Sequence, residues 1–513
     1  MKIPYALLVL FACALSLTSG SSRANDAVER ASRARDDILG LDFDAAHREL
    51  DAADPLDPNV ALEMGRLALY ELDCDGAVAH LANAIVAKSE QGQALADIAR
   101  GCSRVTASIV SQKDDTNGVE IRFQDERDAP LFPLMVDTVV RARAALTRDL
   151  AVTWPRPTRI VVVRDLLSLA AMTGLPYESA KTTGTVAVAK WGRVTFLSPR
   201  ASPHGFAWRD TIAHELTHLA VTRATRDRAP LWLQEGVAKR EEIRWRDPGP
   251  FDDRPPPDSV VLRGMDLKLD LALDKLGPSI AMLPSADAAM VAFAEVTSFV
   301  RFYADTAGPD ALPKLLGELR ADKSPDDALR ASSGADLHTW DGKWRAYLAT
   351  KAREPLPPLF GLGGGGAEVD FHELRERMRL GELLFGRDHL HEAETEVDHI
   401  QSRAALDDAS VRYFRARLLE ALGRTDDAAS LVADPKQIAS TYAPWWAIRG
   451  RLARARGDDA TADPSFAEAV AVDPLDVEVA CETVTVDGKP KDPAMVPLCD
   501  AARARHEPTL GRD

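Results

Sequence analysis

Residues 211–222 read Thr-Ile-Ala-His-Glu-Leu-Thr-His-Leu-Ala-Val-Thr, and the two histidines constrain the fold more than any other feature of the chain. An α-helix turns about 100° per residue, so side chains four apart sit nearly one above the other. On a helix, His214 and His218 therefore reach one point, where a single metal ion can take both imidazoles. Glu215 lies beside the same face, within reach of a water held there. Ile212, Leu216, Leu219 and Ala220 give the helix an apolar surface to bury. Hydrolytic zinc sites take three protein ligands and keep one position for water. Pro230-Leu231-Trp232-Leu233-Gln234-Glu235-Gly236-Val237-Ala238 begins twelve residues after His218. Within it Glu235, 17 residues beyond His218, is the natural third ligand, on a second helix.

Strands and helices alternate around this stretch. Residues 119–123 alternate as a strand does, 130–149 read as an amphipathic helix, and 159–163 form a β-branched run. Residues 185–190 and 193–197 flank Trp191-Gly192 as a hairpin. The mixture predicts an α+β domain over 118–352. Prolines 355, 357 and 358 and glycines 363–366 give 353–367 the composition of a linker. Three consecutive prolines at 255–257 mark 247–258 as a surface loop.

His-Glu-x-x-His followed by Trp-Leu-x-Glu-Gly resembles the signature of the gluzincin metallopeptidases, with a spacing similar to the peptidase MA-like group. The resemblance extends to residues 183–189 and 197–200 before the pentad, and to 278–285 and 292–296 after it. It spans about residues 118–350 and implies a thermolysin-like core. It also implies that His214, His218 and Glu235 bind Zn2+ and that Glu215 is the catalytic general base. Zinc lowers the pKa of a water it holds towards about 7. Glu215 then takes the proton as the water attacks a peptide carbonyl, and passes it to the leaving amine. Gluzincins pair extended substrate with the strand before the helix, which points to 193–197 or its hairpin partner. Two positions depart from the family. Phe293 stands where a tyrosine is expected to stabilise the oxyanion, with Tyr303, Tyr347, His338 and His204 as substitutes. Lys239 stands four residues after Glu235, where an acidic residue usually braces a ligating histidine. Asp210, one turn before His214, is placed to do this instead.

The flanks carry a different pattern. Small residues twelve apart recur as Gly381/Ala393, Ala416/Ala428 and Gly450/Ala462, with first members 35 and 34 residues apart. Trp446, Gly450, Ala462, Phe466, Ala469 and Pro474 resemble the tetratricopeptide signature. This predicts stacked helix pairs over 368–475 that fold independently and offer a surface to protein partners. Ala34/Ala46 and Gly65/Ala77, 31 residues apart, make 25–112 a tetratricopeptide-like helical region.

Lys2, an apolar run to Leu17, and small residues at Ser22 and Ala24 make 1–24 a signal peptide, predicting a periplasmic or secreted protein. Cys13 after Leu10-Phe11-Ala12 weakly resembles a lipoprotein acylation site, the alternative destination. No later apolar run is long enough to span a membrane. Loss of Cys13 leaves Cys74, Cys102, Cys481 and Cys499, which allow three pairings. Proximity favours Cys74–Cys102 and Cys481–Cys499, the second within a C-terminal tail at 476–513. The chain carries 63 basic and 79 acidic residues, a net charge of −16, which repels nucleic acid. The expected activity is hydrolysis of protein or peptide substrates. The rival expectation is an envelope scaffold whose repeats bind proteins and whose peptidase-like core holds zinc without efficient catalysis.

Overall fold

The computed structural model describes residues 26–154, 157–202, 205–249, 252–354, 356, 362, 371–403, 408–435, 442–475, 477–482 and 495–506. Residues 1–24, expected to be a signal peptide, His204 and glycines 363–366 lie outside the described residues. Five α-helices come first among the described residues: α1 (26–39), α2 (Phe43–Asp51), α3 (Pro58–Tyr70), α4 (Cys74–Leu81) and α5 (Glu90–Thr106). A five-stranded sheet follows, built from β1 (Val110–Asp114), β2 (Val119–Phe123), β3 (Thr158–Val163), β4 (Ala187–Lys190) and β5 (Arg193–Leu197). Their order is β1-β2-β3-β5-β4, with β2, β3 and β5 parallel and β1 and β4 antiparallel at the edges. β1 crosses residue 112, where sequence placed the end of the N-terminal region. Its sequence, Val-Ser-Gln-Lys-Asp, is too polar to read as a strand because an edge strand leaves part of its surface in water.

Successive side chains of a strand point to opposite faces. Ile160 and Val162 of β3 join the main core with α6 (Phe132–Leu150) and α9 (Trp208–Thr225). Val161 and Val163 join a second core with α3, α4, α5 and α7 (Leu166–Thr173). α3, α4 and α5 therefore cover one face of the sheet, while α1 and α2 belong to the main core. Arg193 of β5, with no exposed surface, locks this arrangement by donating to the Leu69 carbonyl at 2.6 Å. A short α8 (Tyr177–Thr183) precedes β4. Trp191 and Gly192 both take positive φ, 56° and 66°, so the two-residue β4–β5 turn follows the strand twist.

After α9 come α10 (Leu231–Glu241), α11 (Pro257–Asp266), α12 (Ala286–Ala307), α13 (Ala311–Arg320), α14 (Pro325–Ser333) and α15 (Leu337–Leu348). Beyond the linker, α16 (Phe371–Phe385) packs on α17 (Leu390–Arg403), α18 (Ala409–Ala421) on α19 (Thr425–Leu431), and α20 (Ala443–Ala455) on α21 (Asp459–Val472). The small residues sit at the points of closest approach. Ala393, Ala416, Ala428 and Ala462 have no exposed surface. A Cβ at Gly450 would meet Phe466 Cζ at 2.9 Å. The middle pair is foreshortened, since α19 has seven residues.

The last helix pair is docked on the peptidase-like region. Trp208 Nε1 donates to the Val470 carbonyl at 3.0 Å, and the Phe206 N–H to the Val472 carbonyl at 3.3 Å. Leu475, Leu498 and Cys499 belong to the main core. The cysteines pair Cys74 with Cys102, Cα atoms 5.5 Å apart, and Cys481 with Cys499, 4.6 Å apart. The second pair joins α22 (Val477–Glu482) to α23 (Val496–His506). Among the described residues, no helix is long and apolar enough to cross a membrane.

Candidate metal centre

α9 and α10 bring the three predicted ligands together. His214 and His218 stand on α9 and Glu235 on α10, and their side chains are 13, 16 and 14 % exposed. One ligand atom from each lies within 4.8 Å of the others. His214 Nε2 is 3.2 Å from His218 Nε2, and Glu235 Oε2 is 3.7 and 3.5 Å from the two. A tetrahedral ion with bonds of about 2.0–2.2 Å places its ligands roughly 3.3–3.6 Å apart. Two imidazoles and a carboxylate at this spacing therefore suit a small tetrahedral cation.

Both rings are held from behind, by α10 and by Glu242, the residue that caps it. The His214 Nδ1–H donates to Glu242 Oε2 at 3.1 Å, and the His218 Nδ1–H to Gln234 Oε1 at 3.4 Å. Acceptors at both Nδ1 atoms fix the tautomers and turn the Nε2 lone pairs inward. The brace on His214 is therefore Glu242, seven residues after Glu235, and not Asp210. The Asp210 carboxylate is taken by Arg246, at 2.7 and 2.8 Å, and by the Trp245 indole at 3.0 Å. Four residues beyond Glu235, where the family pattern expects the brace, stands Lys239. Seven residues are two helical turns, so Glu242 lies on the same face one turn further on.

Burial alone would lower the His214 pKa, but the hydrogen bonds of Glu235 and Glu242 and the Glu215 charge outweigh it and hold it at about 9. His218 is raised likewise, its burial overcome chiefly by the Glu235 charge. Burial opposes ionisation of Glu235 and Glu242 too, yet the imidazoles pull Glu235 far below the usual carboxylate range. Lys239 and His214 pull Glu242 to about 2. The pocket thus concentrates negative potential where the two Nε2 atoms meet, a field that favours a bound cation.

Glu215, 7 % exposed, has its pKa raised, burial outweighing the two imidazoles. The Ala189 N–H of β4 favours its charged form without offsetting that burial. The Leu197 N–H donates to the Val186 carbonyl at 2.7 Å, so 186, 188 and 190 face β5, and Ala187 and Ala189 face the open edge. Of the two strands considered for substrate, β5 is paired on both sides and only β4 is free.

The oxyanion candidates fare differently. The Tyr303 hydroxyl lies 3.3 Å from Ser332 Oγ, and the Tyr347 hydroxyl donates to Asp258 at 3.2 Å. His338 is exposed. Phe293 lines a cavity of about 700 Å³ together with Lys239, Glu242 and, from α21, Glu468 and Val472.

Residues 142–350 match the model of the Peptidase MA superfamily. The match covers β3 to α15 and so contains the whole cluster. It supports a peptidase-like domain at this position in the chain. It leaves outside β1, β2 and the N-terminal helices that cover the sheet. No curated protein and no solved structure matches the chain.

Proposed function

We propose that the chain is an exported zinc metallopeptidase that cleaves peptides laid along β4. The observation that carries this reading is the convergence of His214, His218 and Glu235 at tetrahedral spacing, with Glu215 between them and the open edge of β4. His214, His218 and Glu235 would hold the zinc, and Glu242 and Gln234 orient the rings. When bound, zinc supplies Lewis acidity, polarising a carbonyl and making water a nucleophile near neutral pH. Ala187 offers its backbone N–H and carbonyl to an extended peptide, as a sixth strand would use them. Glu215 accepts the proton of the attacking water and returns it to the departing amine. Its raised pKa fits a group that must both take and release a proton. The signal-like 1–24 and two cysteine pairs support export. The repeat-like pairs at 371–472 would meet protein partners.

The scaffold reading has one specific support: Phe293 lacks the hydroxyl expected there, and the Tyr303 and Tyr347 hydroxyls are engaged elsewhere. Zinc analysis combined with turnover of a peptide library separates the two. Glu215→Gln should keep zinc and lose about 10²- to 10⁴-fold in rate. His214→Ala and Glu235→Ala should lose zinc as well. A parent chain that holds zinc and cleaves nothing selects the scaffold. A Glu215→Gln chain that turns over at the parental rate refutes the general-base role.

A further inference from the structure

Lys239 Nζ lies 2.6 Å from Glu242 Oε1 and 2.9 Å from Glu242 Oε2. Oε2 is the same atom that accepts the His214 Nδ1–H at 3.1 Å. One carboxylate oxygen thus serves an ammonium and an imidazole at once, and the ammonium carries the full charge at the shorter distance. A carboxylate behind a ligating histidine normally makes the ring a stronger donor, and losing it typically costs 10- to 100-fold in metal affinity. A cation on that carboxylate takes up part of its charge, so the ring receives less. Lys239 is also half-buried, its side chain 31 % exposed, so water screens the pair only in part.

We propose that Lys239 is a positioning residue that shares the Glu242 carboxylate with His214 and weakens its push on the ring, so that the centre binds its cation less tightly than its ligands allow. The proposal rests on the metallopeptidase reading above. It has a sign that a merely structural role does not share: removing the lysine tightens metal binding.

The test uses the full mature chain and zinc alone, with affinity read by competition against a chromophoric chelator. Lys239→Met keeps the aliphatic stem and removes the charge, and should bind zinc about three- to tenfold more tightly, a part of the 10- to 100-fold that the carboxylate is worth. Lys239→Arg restores the cation and should return to the parental affinity. Glu242→Gln should bind about 10- to 100-fold more weakly. In the Glu242→Gln background, Lys239→Met should change affinity less than about twofold, because the lysine acts through the carboxylate. Unchanged or weaker zinc binding by a folded Lys239→Met chain overturns the proposal, as does equal tightening by Lys239→Arg. Tightening that persists in the Glu242→Gln background places the cation's action directly on the metal and also overturns it. A parent chain that takes up no zinc overturns the metal reading itself, and this proposal with it.

Discussion

The glycine after the third ligand should be the least replaceable small residue near the centre. A Cβ at Gly236 would sit 2.6 Å from the Val296 carbonyl oxygen of α12, with the Val300 side chain also in the way. The carbonyl is backbone in the middle of a 22-residue helix and cannot rotate aside. Ordinary contact begins near 3.4 Å, so α10 and α12 must part by about 0.8 Å for alanine to fit. Overpacking typically costs about 1–3 kcal/mol, and an obstacle made of helix backbone belongs to the upper part of that range, about 2–3 kcal/mol. Alanine recovers about 1 kcal/mol of helix propensity. The net loss for Gly236→Ala is therefore about 1–2 kcal/mol, or roughly 2–8 °C in melting temperature for a domain of this size. The same displacement carries Glu235, one residue earlier, away from the two imidazoles, so zinc affinity should fall together with stability. Gly317 on α13 is the internal control, since nothing stands within 4 Å of its added Cβ. Gly317→Ala should stabilise by about 0.5–1 kcal/mol, through propensity alone. Calorimetry of the three chains, with chelator competition for zinc, decides the matter. A Gly236→Ala chain that melts and binds zinc as the parent does would refute the packing argument.

Two further outcomes are expected. The Cys74–Cys102 and Cys481–Cys499 pairs close loops of 28 and 18 residues, and each should contribute about 3 kcal/mol in the chain-entropy account. Denaturant midpoints of the paired Cys→Ser variants measure this, and non-reducing peptide maps that join the two ends of the chain would contradict the pairing. Trp208→Phe leaves the Val470 carbonyl without its donor and a smaller ring in a fully buried slot, at roughly 1–3 kcal/mol. An unchanged unfolding midpoint would show that the docking of α21 adds nothing to stability.

The centre was legible because its demands are local. Four-residue spacing on one helix and a glutamate on the next are properties of short segments, and the fold needs only to bring α9 and α10 together. The hairpin around Trp191-Gly192 was legible for the same reason. Glu242 was missed because the pattern searched was four residues long and the helix offered seven. The role of the N-terminal helices was hidden more deeply. Nothing in residues 25–112 announces that Leu69, Leu81 and Leu95 meet Val161 and Val163, since a helix buries its stripe equally well on another helix or on a sheet. The alternation within 159–163 held a hint. A strand that is β-branched on both faces needs two covering layers, and on the second face the residues after it supply only the short α7.

The same physics bears on the C-terminal array, whose Pro- and Gly-rich linker suggests a loosely tethered module. The contacts argue otherwise for its last pair. α9 has no side-chain N-cap, so the amide end of the helix that carries both histidines is left for other partners. α21 ends at Val472, and the carbonyls of Val470 and Val472 accept from Trp208 and Phe206 at that end. The carbonyl end of one helix thus meets the amide end of another, an alignment in which the two macrodipoles attract. His214 and His218 lie nearly two and nearly three turns further along α9. A force that draws α21 aside therefore acts first on the helix that positions the metal ligands. The last helix pair and the centre are then mechanically one unit at α20 and α21, and α18 and α19 are tied to that unit through the core they share with α20 and α21.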